Sequence, residues 1–288
     1  MNEVLQSIVS SGCVMTEDGK TRTLRGSISR DEGDFLQEMI RSARPNVSLE
    51  VGCAYGISSL YICEALREIN ATKHIIMDPH QHSMWEGIGL ANLRRSGYLD
   101  LIDFHEAFSY QYLSRLTEEN LTIDFAFIDG NHMFDYVLVD FFLIDKLLRV
   151  GGIIVLDDLS YPSVRSVCRY VLSNLRYRCI GPHTRELPER AAIRNLISRS
   201  RQFGIGPLIR APLNRVLAPA WRLLLSRAGK LVTAPSRHRS TMNLADLELH
   251  LPPYSQYVAL EKLDDGYWSQ NKRPLSSPFT IIDVRLGH

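Results

Sequence analysis

Ser48-Leu49-Glu50-Val51-Gly52-Cys53-Ala54-Tyr55-Gly56 is the stretch on which the fold turns. It joins a short apolar run, 47–51, to a turn with glycine at two positions, and a helical pattern over 58–69 follows. This is a strand–turn–helix unit, and glycine there permits positive φ and a close approach of a ligand to the backbone. Upstream, Ser29 or Asp31 caps a helix whose apolar positions include Phe35, Leu36, Met39 and Ile40, and Pro45 ends it. Downstream, strands are predicted at 74–77, 101–105, 123–128, 153–156 and 177–180. Helices are predicted over 84–96, 110–116, 133–149 and 163–175, with Gly151 and Gly152 as the stop of the third. A last strand is predicted over 254–262 and a short one at 279–284, whereas 1–28 shows no clear pattern. Strands alternating with helices imply a parallel sheet covered on both faces, and the continuous apolar runs suit strands buried on both sides.

The 288 residues hold 33 Lys plus Arg against 32 Asp plus Glu, a formal net charge of +1, with 45% hydrophobic residues. That excludes collagen-like, low-complexity and disordered chains and gives no whole-chain support for nucleic-acid binding. The five cysteines include no Cys-x-x-Cys pair, so a disulfide framework or zinc site is not predicted. The N-terminus lacks a basic region before a long apolar stretch, and no run approaches the ~18 apolar residues of a spanning helix, so the expected compartment is the cytoplasm.

In an open α/β sheet the first strand-to-helix turn lies at the carboxyl edge, where ligands bind. The spacing Glu-x-Gly-x-x-x-Gly is not the Gly-x-Gly-x-x-Gly dinucleotide fingerprint. A carboxylate just before the turn, Glu50, suits a ligand bearing a cation. The stretch resembles motif I of the class I S-adenosylmethionine-dependent methyltransferases. The resemblance implies a Rossmann-like, seven-stranded, mostly parallel sheet with helices on both faces and an antiparallel last strand. It implies that Glu50 and the turn Gly52, Cys53, Ala54, Tyr55 and Gly56 meet the amino-acid end of S-adenosyl-L-methionine. Asp78 would hold the ribose hydroxyls, and Phe108 and Ser109 would flank the adenine. Trp85 would line the pocket or pack beneath the next helix.

Asp129 closes one strand, and Asp157 and Asp158 close another. Three carboxylates on one rim repel one another and usually meet a cation; an all-oxygen set points to Mg²⁺. Asp129 and Asp157 lie 28 positions apart, and the trio resembles the metal triad of the catechol, caffeoyl-CoA and macrolide-sugar O-methyltransferases. In catechol-type members a lysine three residues after the first ligand is the general base. His132 stands there in this chain and titrates near neutrality. The resemblance therefore implies methyl transfer to a small hydroxylated acceptor, with His132 or Asp129 taking the proton; His80 and His82 are rival bases.

Residues 190–245 hold eleven Lys or Arg and no Asp or Glu, so a basic arm offsets a body with 22 basic and 32 acidic side chains. The expected organisation is an extension at 1–27, a core at 28–183, a basic insertion at 184–253, and the last strand with a tail at 254–288. Three readings of the insertion stay open: a lid or homodimer contact, an anionic membrane surface reached through Arg and Trp221, or an acidic substrate or nucleic acid. Little aromatic interleaving disfavours the last for nucleic acid. Two other functions stay open, a non-catalytic cofactor-binding adaptor and an NAD(P)-dependent Rossmann oxidoreductase.

Overall fold

The computed structural model describes residues 1–182, 246, 249, 251–252 and 255–264. Residues 1–28, patternless in sequence, hold α1 (Glu3–Ser11) and a hairpin of β1 (Cys13–Met15) and β2 (Thr21–Thr23). The main sheet begins after α2 (Arg30–Ala43). It contains β3 (Val47–Val51), β4 (Lys73–Met77), β5 (Ile102–His105), β6 (Ile123–Ile128), β7 (Leu148–Leu156), β8 (Tyr177–Gly181) and β9 (Val258–Lys262). Their order is β5-β4-β3-β6-β7-β9-β8. All pairings are parallel except those of β9, which runs antiparallel between β7 and β8. The connections are α3 (Ile57–Glu68), α4 (Ile88–Arg95), α5 (Ser109–Glu118), α6 (Phe134–Leu147) and α7 (Pro162–Asn174).

Alternation along the strands builds the two faces. Phe125, Phe127, Ile153, Val155 and Ala259 pack with α1, α2 and α3. Ala126, Ile128, Ile154, Leu156, Val258 and Leu260 pack with α5, α6 and α7. Each fully buried side chain of this kind contributes about 1.5–3 kcal/mol relative to exposure, so both layers bind the sheet strongly.

Local chemistry sets the boundaries. Ser29 caps α2, its hydroxyl accepting from the Glu32 amide while the Glu32 carboxylate accepts from the Ser29 amide. The helix predicted over 84–96 starts only at Ile88, because Glu86 and Gly87 take left-handed conformations. Helix α6 stops at Leu147, and Gly151 and Gly152 lie inside the longer β7 rather than at a helix end. Strand β9 starts at Val258, later than the predicted 254.

The chain before β9 docks beside the carboxyl edge. Buried Asp246 pairs with Arg165 (3.3 Å) and Arg169 (2.6 Å) of α7, and the Leu159 amide donates to the Gln256 carbonyl. The basic stretch 190–245 and the strand predicted at 279–284 lie outside the described residues. Among the described residues no helix is long and apolar enough to cross a membrane.

Candidate active site

Neighbouring strand ends bring the turns after β3, β4, β6 and β7 to one rim. The ladder continues into them: the Gly52 amide donates to Met77, Asp129 to Val51 and Asp157 to Ile128. Asp78 ties the glycine turn to the next loop. Its Oδ2 accepts from the Cys53 (3.1 Å) and Ala54 (2.8 Å) amides and its Oδ1 from His80 (2.8 Å). Gly56 takes a left-handed conformation as the N-cap of α3, with no side-chain cap. Gln81, fully buried, clamps this turn to α4: its Nε2 donates to the Ala54 carbonyl (2.9 Å) and its Oε1 accepts from the Gly89 amide (3.0 Å). The Tyr55 ring meets Trp85 edge-on at 5.0 Å.

Glu50 is placed differently from a ligand-facing carboxylate. It is fully buried and accepts from the hydroxyls of Ser58 and Ser59 and from His74 Nε2, whose Nδ1 meets Ser48. It thus ties the start of α3 to β3 and orients two hydroxyls there. The Cys53 thiol is also buried, which pushes its pKa up and keeps it inert.

The acidic residues divide into two groups. Asp129, His132 and Asp158 bring donor atoms within 4.8 Å of one another. His132 Nε2 lies 2.9 Å from Asp158 Oδ2, and this hydrogen bond raises the His132 pKa. Burial and the neighbouring Asp157 carboxyl push Asp129 well above the usual carboxylate range. The Ser163 hydroxyl donates to the His132 backbone carbonyl (2.5 Å), fixing the turn, and the Tyr161 ring stacks on the imidazole at 5.3 Å. Asp157 faces the other layer. Its Oδ1 accepts from the Asp158 amide, and its carboxyl meets Glu32 of α2, a residue the sequence reading did not single out. Burial and this contact raise Asp157 to about 9 and burial raises Glu32, so the pair retains a proton.

The donor set therefore does not fit the all-oxygen Mg²⁺ triad of Asp129, Asp157 and Asp158. Mg²⁺ prefers octahedral oxygen ligands, whereas the convergent group is two carboxylates and an imidazole already paired with one of them. Asp157 is not part of that convergent group.

The Glu32–Asp157 pair makes a stability prediction. The folded chain keeps a proton that the unfolded carboxyls release above about pH 4, so stability is lost as pH rises from there through the raised folded pKa. Glu32→Gln keeps an oxygen for the Ser29 amide and offers an N–H to Asp157. It should stabilise the protein by about 1–3 kcal/mol at pH 8.5, the cost of an ill-satisfied buried polar group, and by much less at pH 5. Urea unfolding at both pH values checks this; equal effects at the two would show that no proton is shared.

The remaining candidates ring the rim. Phe108, partly exposed, meets His80 edge-on (5.8 Å) and stacks on Tyr110 (5.5 Å). Ser109 is the first residue of α5. His82 is paired with Glu106 (2.7 Å) on the exposed loop after β4, apart from the His132–Asp158 pair.

A family model described as a methyltransferase domain matches residues 49–159, from inside β3 to just past Asp158. Residues 49–159 are thus similar to a methyltransferase domain. Caffeoyl-CoA O-methyltransferase 1 of Eucalyptus globulus is 30% identical over 132 residues, 45% of this chain and 51% of that one. Caffeoyl-CoA O-methyltransferase 2 of Petunia hybrida is 31% identical over 133 residues, 45% of this chain and 52% of that one. The chain thus spans about half the length of the curated relatives it matches. Among solved structures, the O-methyltransferase TomG from Streptomyces achromogenes, in complex with SAM, superposes with a TM-score of 0.52 at 18% identity, covering 64% of this chain and 84% of TomG. That likeness shows that the two share a fold. The domain model begins at residue 49, so Glu32 and the capping box of α2 lie outside it.

Proposed function

We propose that the protein transfers a methyl group from S-adenosyl-L-methionine to an oxygen of a small hydroxylated acceptor, with His132 as general base. The observation that carries this is the His132–Asp158 pair (2.9 Å) at the ends of β6 and β7, one strand from the glycine turn of β3. The cofactor supplies an electrophilic methyl group on a sulfonium. The chain must align the acceptor, exclude water and remove its proton. The turn Gly52–Gly56 borders the cofactor, the amides at the start of α3 suit its carboxylate, and Asp78 borders the ribose position. Neutral His132, its Nε2–H donating to Asp158, accepts the hydroxyl proton at Nδ1, and Asp158 holds the resulting imidazolium. Tyr161, with exposed Met133 and Phe134, forms an apolar lip suited to a ring-bearing acceptor. The names of the caffeoyl-CoA relatives support oxygen as the accepting atom.

Calorimetry with S-adenosylhomocysteine on the full chain should show binding, and cellular metabolites incubated with protein and cofactor should gain a methyl group that survives EDTA. No binding, or binding of a nicotinamide dinucleotide instead, overturns the proposal. Activity lost to EDTA and restored by Mg²⁺ would overturn metal-free proton removal by His132.

A further inference from the structure

Arg165 of α7 is a buried cation that the proposed reaction does not use. It is 3% exposed, and its guanidinium donates in three directions: Nε to the Leu159 carbonyl (3.1 Å), Nη1 to Asp246 Oδ2 (3.3 Å) and Nη2 to the Pro252 carbonyl (3.2 Å). Asp246, also buried, is held a second time by Arg169, whose Nε and Nη2 donate to its two oxygens (2.6 and 2.9 Å). Asp246 is the first residue after the basic stretch 190–245, and Pro252 follows on the same returning chain. A buried ion pair costs desolvation that well-packed apolar residues of similar volume avoid, so as a stability device it is weak. What this one supplies is direction, because the planar fork of arginine fixes several acceptors at once.

The acceptor that matters is Leu159. It directly follows Asp158, whose backbone is left-handed, and the latch takes both of its backbone groups. The Leu159 carbonyl accepts from Arg165, and its amide donates to the Gln256 carbonyl. The Tyr161 amide donates back to the Asp158 carbonyl (2.8 Å) and closes the acid turn. Two residues before Arg165, the Ser163 hydroxyl donates to the His132 carbonyl (2.5 Å). The first turn of α7 therefore grips both halves of the His132–Asp158 pair, the histidine turn through Ser163 and the acid turn through Arg165.

We propose that Arg165, locked by Asp246, is a positioning residue that holds Asp158 against His132. This rests on the reading of that pair as the proton acceptor of methyl transfer. Arg165 acts through the Leu159 backbone. Without the guanidinium the Leu159 carbonyl loses its donor, the acid turn loosens and the Asp158 carboxylate is no longer fixed 2.9 Å from the ring. Proton removal then slows, because the imidazolium loses the anion beside it. The proposed cofactor position at the ends of β3 and β4 lies at least two strands from β7, about 10 Å, and is spared. Replacing Arg165 by an apolar residue leaves Asp246 paired with Arg169, so no buried charge is stranded.

The test uses the full chain with Arg165→Met, which keeps an apolar stem and removes every donor. Methyl transfer to a cellular metabolite extract at saturating S-adenosyl-L-methionine should fall by about tenfold or more, part of the ~10²–10⁴-fold that a positioned base contributes. The Kd for S-adenosylhomocysteine should change less than about twofold. In an Asp158→Asn background the same substitution should lower the rate by less than about twofold further, since the carboxylate it positions is already gone. Hydrogen exchange at the Leu159 and Tyr161 amides should speed up by about tenfold or more, while exchange at the Gly52 and Leu60 amides stays as in the wild type. Arg165→Lys keeps a cation beside Asp246 but not the fork. It should show the same split in smaller measure, and it carries the test if the methionine variant does not fold. Unchanged transfer, unchanged exchange at Leu159, or an equal loss of rate in both backgrounds would mark Arg165 as merely structural and overturn the proposal. A wild type that transfers no methyl group would instead overturn the proton-acceptor reading, while exchange alone still decides whether Arg165 holds the acid turn.

Discussion

His132→Gln should lower kcat by about 10²–10⁴-fold, the usual contribution of a positioned general base, while the Kd for S-adenosylhomocysteine changes less than twofold. The split follows from the geometry. Glutamine can still hydrogen-bond to Asp158, so the turn between β6 and α6, held by the Asn131 side chain accepting from the Met133 amide (3.0 Å), is preserved. What is lost is a group that can take a proton near neutral pH. The pH profile carries the second half of the prediction. The hydrogen bond to Asp158 raises the His132 pKa, and only the neutral ring is a base. Activity should therefore rise with pH through a midpoint above the ordinary histidine value of about 6.5. Asp158→Asn removes the charge that favours imidazolium, so the midpoint should move down as the maximal rate falls. Single-turnover rates across pH 5–9 would decide it; a variant at position 132 with a normal rate and an unmoved profile would remove His132 from the reaction.

The split of the acidic residues shows what the sequence could carry and what it could not. The alternation of apolar runs and helical patterns fixes a parallel sheet, and each of Gly52, Asp78, Asp129 and Asp158 is legible as the residue that ends a strand. Whether neighbours in sequence face the same way is not legible from a strand end alone. Successive side chains on a strand point to opposite faces, and Asp158 adopts a left-handed conformation (φ 53°) directly after Asp157. One acid therefore turns to the α2 layer and Glu32, the other to the α6 layer and His132. The spacing of Ser29 and Glu32 fits a capping box, which marks Glu32 as a helix-start residue and nothing more. Its contact with Asp157 depends on α2 lying over β7, which the sheet order creates and local sequence does not encode. The same holds for Glu50: its hydroxyl partners sit eight and nine residues ahead, but His74 arrives from the next strand. The helix α1 had legible ends, Asn2 capping its start and left-handed Gly12 its finish, yet strands of three residues such as β1 and β2 are too short for alternation to register.

Gly52→Ala should abolish measurable S-adenosylhomocysteine binding, a loss of at least 100-fold, and destabilise the fold by about 2–6 kcal/mol. Two costs add. Gly52 has φ 93°, where a side chain is strained by about 1–3 kcal/mol. A Cβ there would also stand 2.2 Å from the Asp129 carbonyl oxygen and 2.9 Å from its carbon, so backbone must move, adding an overpacking cost of about 1–3 kcal/mol. Relief is not cheap, because the Gly52 amide is bonded to Met77 of β4 and the Asp129 amide to Val51 of β3. Moving either end pulls on the strands that position Asp78 and His132, so cofactor and proton acceptor are displaced together. Gly19→Ala is the control. It also has a left-handed φ, 81°, but a Cβ there meets nothing within 4 Å, so it should cost about 1 kcal/mol and leave binding intact. Urea unfolding and calorimetry on both variants separate backbone strain from steric contact. Equal losses in the two would mean that the approach of the β3 and β6 ends, rather than being the hinge of the site, is incidental to it.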